Sequence, residues 1–227
     1  MRNSSINLRS LPLVTDGPRI YFTEASFSAP TTLVQVSVTG GDTVPMLSQL
    51  NFPNLGDLSG DTSQVLLVNA STGDEWPLWN LHLPGGSAQR VGDVLAHDAT
   101  WFPDGRHIVY FRGSDIYFAP PNGSESRKVT TVKGIPWLPR WSPDGSVLRF
   151  TVQDFDSDSH SLWEISGDGS NLHPLLPGWN TPSAECCRKW TPDGNITFFN
   201  PHKQAGPTFG EFVNAVRLGS LKASHSA

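Results

Sequence analysis

At 227 residues, with a formal charge of -5 and a pI near 5.7, the chain lacks the basic stripe that a nucleic-acid surface needs, and no Lys/Arg run exceeds Arg127-Lys128. No apolar run reaches the length of a membrane-spanning helix. The 21 Gly and 19 Pro are spread along the chain without a collagen-like period, as many short turns require, and 12 Phe and 8 Trp suffice for a core of thin layers.

In chain order, Met1 to Thr15 has one early Arg and no continuous apolar stretch, so it does not read as a signal peptide. Residues 1–14 are expected to supply a first strand, Ser10 to Val14. Val14-Thr15-Asp16-Gly17 then turns into Arg19 to Thr23, and Leu33 to Val38 runs into Gly40-Gly41. A second unit repeats the order: Ser59-Gly60-Asp61-Thr62, the strand Gln64 to Val68, then Leu78 to Leu83 into Gly85-Gly86 and a strand from Ser87 to Val91. The third opens on Trp101-Phe102-Pro103-Asp104-Gly105, followed by His107 to Phe111 and by Asp115 to Phe118 into Asn122-Gly123. The fourth opens on Trp141-Ser142-Pro143-Asp144-Gly145, followed by Val147 to Thr151, then Leu162 to Ile165 into Gly167-Asp168-Gly169 and a strand from Ser170 to Leu176. Trp190-Thr191-Pro192-Asp193-Gly194 and Ile196 to Phe199 open a fifth.

The chemistry of these turns is the same each time. Pro fixes φ at the second position, Asp follows, and Gly tolerates φ > 0, so each reads as a type I turn with a bulge glycine. The turn aspartates fall at 16, 61, 104, 144 and 193, in steps of 40 to 49 residues, the range of a four-stranded propeller blade. Four residues on stand Ile20, Val65, Ile108, Leu148 and Thr197; six on stand Phe22, Leu67, Tyr110, Phe150 and Phe199. Nine of these ten are apolar or aromatic, which predicts one buried alternate face per strand. The expected fold is all-β: four complete four-stranded blades plus a partial fifth over residues 10–199, with 200–227 a poorly ordered tail.

The alternation of Trp-x-Pro-Asp-Gly with Leu-Trp and Gly-Gly or Asp-Gly turns resembles the repeats of TolB-like, WD-type bacterial β-propellers. Pro12 to Gly17, Glu75-Trp76-Pro77-Leu78-Trp79 and Glu185-Cys186-Cys187 resemble more closely the propeller halves of bacterial winged-helix transcriptional regulators and related sensors. The resemblance implies a ring of six or more blades, favours a periplasmic setting, and makes this chain look like a detached or truncated propeller. Four and a half units are then expected to leave open edge strands through which copies associate.

Several side chains could carry chemistry. Asp154, Asp156 and Asp158 alternate like the start of a calcium loop, but Ser159 and Ile165 stand where Gly and Glu belong, so a solvated hairpin loop is expected and no metal. There is no nucleophile elbow, zinc-protease helix motif or phosphate loop, and the histidines, including His97, are scattered; no catalytic residue and no cofactor are expected. Cys186-Cys187 reads as two small apolar residues entering a strand. Trp101, Trp141 and Trp190, with Pro103, Asp104, Gly105, Pro143, Asp144, Gly145, Pro192, Asp193 and Gly194, read as structural repeat residues, the tryptophans packing between blades. Recognition is expected in the variable loops Glu24 to Thr31, Ala70 to Pro77 and Asp154 to His160, clustered at one face. There Asp74, Glu75 and Trp76 form an aromatic anchor with acidic neighbours. The function expected is a non-enzymatic binding or sensor module for a protein or small ligand. The alternative is the propeller of a peptidase or other hydrolase.

Overall fold

The short turns set the architecture, because each reverses the chain after a strand of only a few residues. The computed structural model describes residues 12–24, 30–46, 49–70, 73–175, 177, 186–190 and 196–199, the last two stretches as backbone. All regular structure in them is β-strand, and the chain divides into two compact units at Thr130.

The first unit holds three sheets. They are β1 (Leu13–Thr15), β2 (Arg19–Glu24), β3 (Thr32–Ser37) and β4 (Val44–Pro45); β5 (Pro53–Leu58), β6 (Gln64–Asn69), β7 (Trp76–His82) and β8 (Ala88–Ala96); and β9 (Asp98–Trp101), β10 (Ile108–Arg112), β11 (Asp115–Ala119) and β12 (Arg127–Thr131). The second unit holds β13 (Ile135–Trp141), β14 (Val147–Asp154), β15 (Ser159–Ser166) and β16 (His173–Pro174), then the pair β17 (Cys186–Trp190) and β18 (Ile196–Phe199). Strands pair antiparallel in chain order, giving four four-stranded blades and the opening of a fifth. β1, Leu13–Thr15, overlaps the expected strand Ser10 to Val14, of which Ser10 and Leu11 lie outside the described residues, as do 200–227 and Gly194. Both cysteines open β17.

The turn glycines have the conformation their place requires. Gly105 and Gly145 stand at φ 67° and 71°, and their amides donate to Phe102 O and Ser142 O at 2.9 Å. In the second blade the left-handed seat falls to Thr62, at φ 59°, and not to Gly60. A β-branched residue is strained there, and the local hydrogen bonds show what holds it. Asp61 Oδ1 accepts from Ser59 Oγ (2.6 Å), Ser63 N (3.1 Å) and Ser63 Oγ (2.8 Å). The fourth blade repeats the lock with Ser142, Asp144 and Ser146 at 2.6, 3.0 and 2.8 Å. These bonds, the serine hydroxyls first, hold the carboxyls of Asp61 and Asp144 down at about 2.

The expectation of one buried face per strand needs correcting. In the second blade Val65 and Leu67 pack with Tyr21 and Leu33 of the first, while Leu66 and Val68 pack with Ile108 and Tyr110 of the third. A blade between two blades is covered on both sides, so its central strand is apolar throughout, as in a buried parallel sheet. In the first blade the buried β2 residues are Tyr21 and Thr23, which face the second blade, whereas Ile20 and Phe22 are half-buried. Polar bonds reinforce the stack. Asp57 Oδ2 on β5 accepts from Thr100 Oγ1 (2.5 Å) and Trp101 N (3.1 Å) on β9. Gly56 lets these strands approach, since a Cβ there would stand 2.9 Å from Ala99 O.

Candidate recognition loops

Consecutive antiparallel strands place alternate turns at opposite ends of a sheet. In every blade the first turn, marked by Asp16, Asp61, Asp104 or Asp144, and the glycine-bearing third turn therefore share one end. The loop between the second and third strands lies at the other. The three loops singled out in sequence, Glu24 to Thr31, Ala70 to Pro77 and Asp154 to His160, are each that second loop of its blade.

In the first blade, residues 25–29 lie outside the described residues; Glu24 accepts from Thr43 Oγ1 at 3.4 Å, and Thr31 Oγ1 donates to Pro53 O at 3.3 Å. In the second, Asp74 and Glu75 are exposed. Trp76 is the first residue of β7, paired with Ala96, and lies half-buried against the cluster shared by the second and third blades. It is thus partly a packing residue with one side open to solvent.

The structure brings to this loop a group that sequence reading missed. Blade three closes its equivalent loop tightly through Gly113 at φ 54°, and a Cβ on Gly113 would stand 3.8 Å from Glu75 Oε1. Arg112, beside it, lies 4.5 Å over the Tyr117 ring and donates from Nη2 to the Tyr117 hydroxyl at 2.6 Å. Tyr117 stacks in turn on Tyr110, with ring centroids 4.9 Å apart and planes 4° from parallel. That hydroxyl, more than the nearby Glu75 charge, holds the guanidinium above its ordinary pKa. Lys128 pairs with Asp115 at 2.8 Å alongside. A permanently charged guanidinium held by Tyr117 near the Glu75 carboxylate can bind polar groups with little loss of side-chain freedom. The only sequence sign of it is an Arg and two Tyr on a hairpin, whose neighbours depend on how blades stack.

In the fourth blade, β14 and β15 stay paired up to Asp154 and Ser159, and the four-residue turn beyond is exposed. Asp154 Oδ1 accepts from Asp156 N at 2.9 Å, and that bond, chiefly, lowers its pKa. Asp156 and Asp158 are exposed, with Asp158 at φ 48°. Among the described residues no three His, Cys, Asp or Glu side chains are arranged to hold a metal ion. Of the repeat residues, Trp101 and Trp141 are buried, Trp101 within the cluster between the second and third blades; Pro103, Asp104, Gly105, Pro143 and Asp144 lie exposed on their turns and Gly145 is half-exposed. Pro192, Asp193 and Gly194 lie outside the described residues, and Trp190 ends β17.

No protein-family model matches the chain. It is 32% identical over 101 residues, 40% of its length, to the Tol-Pal system protein TolB of Alcanivorax borkumensis. Over 132 residues, 49% of its length, it is 26% identical to the uncharacterized peptidase YuxL of Bacillus subtilis. These matches span 23% and 18% of the two relatives' own lengths. Among solved structures, TolB from Acinetobacter baumannii superposes with a TM-score of 0.64 at 16% identity, covering 85% of this chain and 49% of that one. No described helix is long and apolar enough to cross a membrane. Strand order, repeat spacing and superposition agree on the fold, an all-β arrangement of TolB-like propeller blades.

Proposed function

We propose that this chain is a non-enzymatic binding module that recognises a protein or small ligand through the loops between the second and third strands of its blades. Asp74, Glu75 and Trp76 form the recognition loop of the second blade, and Asp154, Asp156 and Asp158 that of the fourth. The observation that carries the reading is the placement of these loops at the blade end opposite the turns that carry Asp61 and Asp144. Variation there leaves the scaffold intact, as binding loops on a rigid framework require. The similarity to a protein of the Tol-Pal system supports a part in an assembly over chemistry, and fold alone implies no reaction. The module is read as part of a regulatory or sensor protein with six or more blades. The two relatives named are a Tol-Pal protein and a peptidase, so the regulatory role rests on the sequence motifs. Self-association through blade edges belongs to the same proposal and is read by sedimentation.

The test is a benzophenone photo-crosslinker placed at position 74 and, separately, at position 106 on the opposite end of the neighbouring blade, in the cell that makes the protein. Discrete adducts from 74 and none from 106 are expected; adducts only from 106, or equally from both, overturn the assignment. The match to a Bacillus subtilis peptidase favours a second reading, an accessory propeller for a hydrolase. In that case the adduct from 74 is a hydrolytic domain.

A further inference from the structure

The second loop of the fourth blade carries an apolar side chain among its acids. Phe155, at the tip of the β14–β15 hairpin, is 63% exposed, the most exposed large hydrophobic side chain among the described residues. Its setting is ordered: eight consecutive residue pairs, Val147 with Ser166 through Asp154 with Ser159, run up to the turn. The turn is closed by the Asp156 amide on Asp154 and by a 2.8 Å hydrogen bond between the Ser157 and Ser159 hydroxyls. A hydrophobic side chain held in water at the end of a rigid ladder loses its hydration cost only when a partner covers it, and little conformational freedom is left to lose on binding. The corresponding loop of the third blade, Gly113-Ser114, has no apolar side chain, so the aromatic is not a requirement of the blade.

We infer that Phe155 is the anchor of a docking tip that inserts into an apolar pocket rimmed by basic side chains on a partner protein. This deepens the binding-module reading and rests on it. The charge of the partner follows from the tip: Asp156 and Asp158 share the exposed turn with Phe155, on a chain whose net charge is -5. Opposite charges on the partner would steer it to the tip and orient it, while the ring supplies the buried contact.

The test uses a synthetic peptide of alternating lysine and leucine as the probe, titrated into the full chain by calorimetry at low and high salt. Saturable, salt-weakened binding is expected. Phe155→Ser should weaken it at least about fivefold, as truncating an anchor does. The double change Asp156→Asn with Asp158→Asn should weaken it and flatten its salt dependence, and Phe155→Trp should keep it. Both loss variants should keep the unfolding temperature, since all three side chains are exposed. Wild-type affinity in Phe155→Ser, or no saturable binding by the unaltered chain, overturns the inference. Neither result touches the crosslinks from position 74, which decide the binding-module reading separately.

Discussion

The two ends of each blade follow different rules. At one end the turns repeat: Ser59, Asp61 and Ser63 make the same bonds as Ser142, Asp144 and Ser146, although 83 residues separate Asp61 from Asp144. At the other, the loops share neither length nor chemistry: a two-residue turn in the third blade, an acidic loop leading into a tryptophan in the second, a phenylalanine tip in the fourth. Repetition marks the end where local hydrogen bonds and backbone geometry shape the blade, and variety the end available to specialise.

The largest test compares tryptophans at opposite ends. Trp101 precedes the Pro103-Asp104-Gly105 turn and is 3% exposed, so Trp101→Ala should cost ~3–5 kcal/mol in denaturant unfolding. Half-buried Trp76 should cost less, ~1–2 kcal/mol on Trp76→Ala, while abolishing the adduct from position 74. Equal stability losses with the adduct retained would erase the distinction between the ends. Next come the left-handed seats. Gly105→Val and Gly145→Val should each destabilise by more than ~1 kcal/mol, with Gly→Asn costing less, whereas Thr62→Gly should be neutral or stabilising by under ~1 kcal/mol. Tolerance of Val at both glycines would show that the turns are not what shapes this end.

The smallest effect is in pH. Asp61 and Asp144 titrate near 2 in the folded chain, below the ordinary carboxylate value of 3.8. Their contribution to stability is therefore fully present above about 4 and is lost as pH falls toward about 2. The unfolding temperature should drop across that window, and the drop should shrink in Asp61→Asn with Asp144→Asn.

How much of this could be read in sequence follows the same division. The locked end was legible, since Pro-Asp-Gly at 103–105 and 143–145 states its own geometry, and strand spacing followed from it. Thr62 falls where the other turns have glycine once Asp61 is taken as the marker, but a β-branched residue gives no local sign of a positive φ. The second buried face was hidden because Val65-Leu66-Leu67-Val68 is apolar throughout and shows no alternation to read. At the variable end, Trp76 and the acids were found from local composition. Arg112 was not, because its place beside Glu75 depends on blade stacking across 37 residues of chain. Phe155 sits among acidic residues that read as a solvated loop, and its exposure at an ordered tip depends on the β14–β15 pairing.

The link between Asp57 and the next blade bears on where such a chain can be cut or joined. Asp57 belongs to the second blade, yet the hydroxyl and amide that satisfy its Oδ2 belong to Thr100 and Trp101 of the third. A fragment ending after β8 would leave that oxygen without both donors and strip Leu66, Val68 and Leu78 of their cover. One ending after β12 keeps them all. The recombinable module is thus the seam between two sheets with the facing half of each, and exchanging whole blades separates groups that satisfy one another.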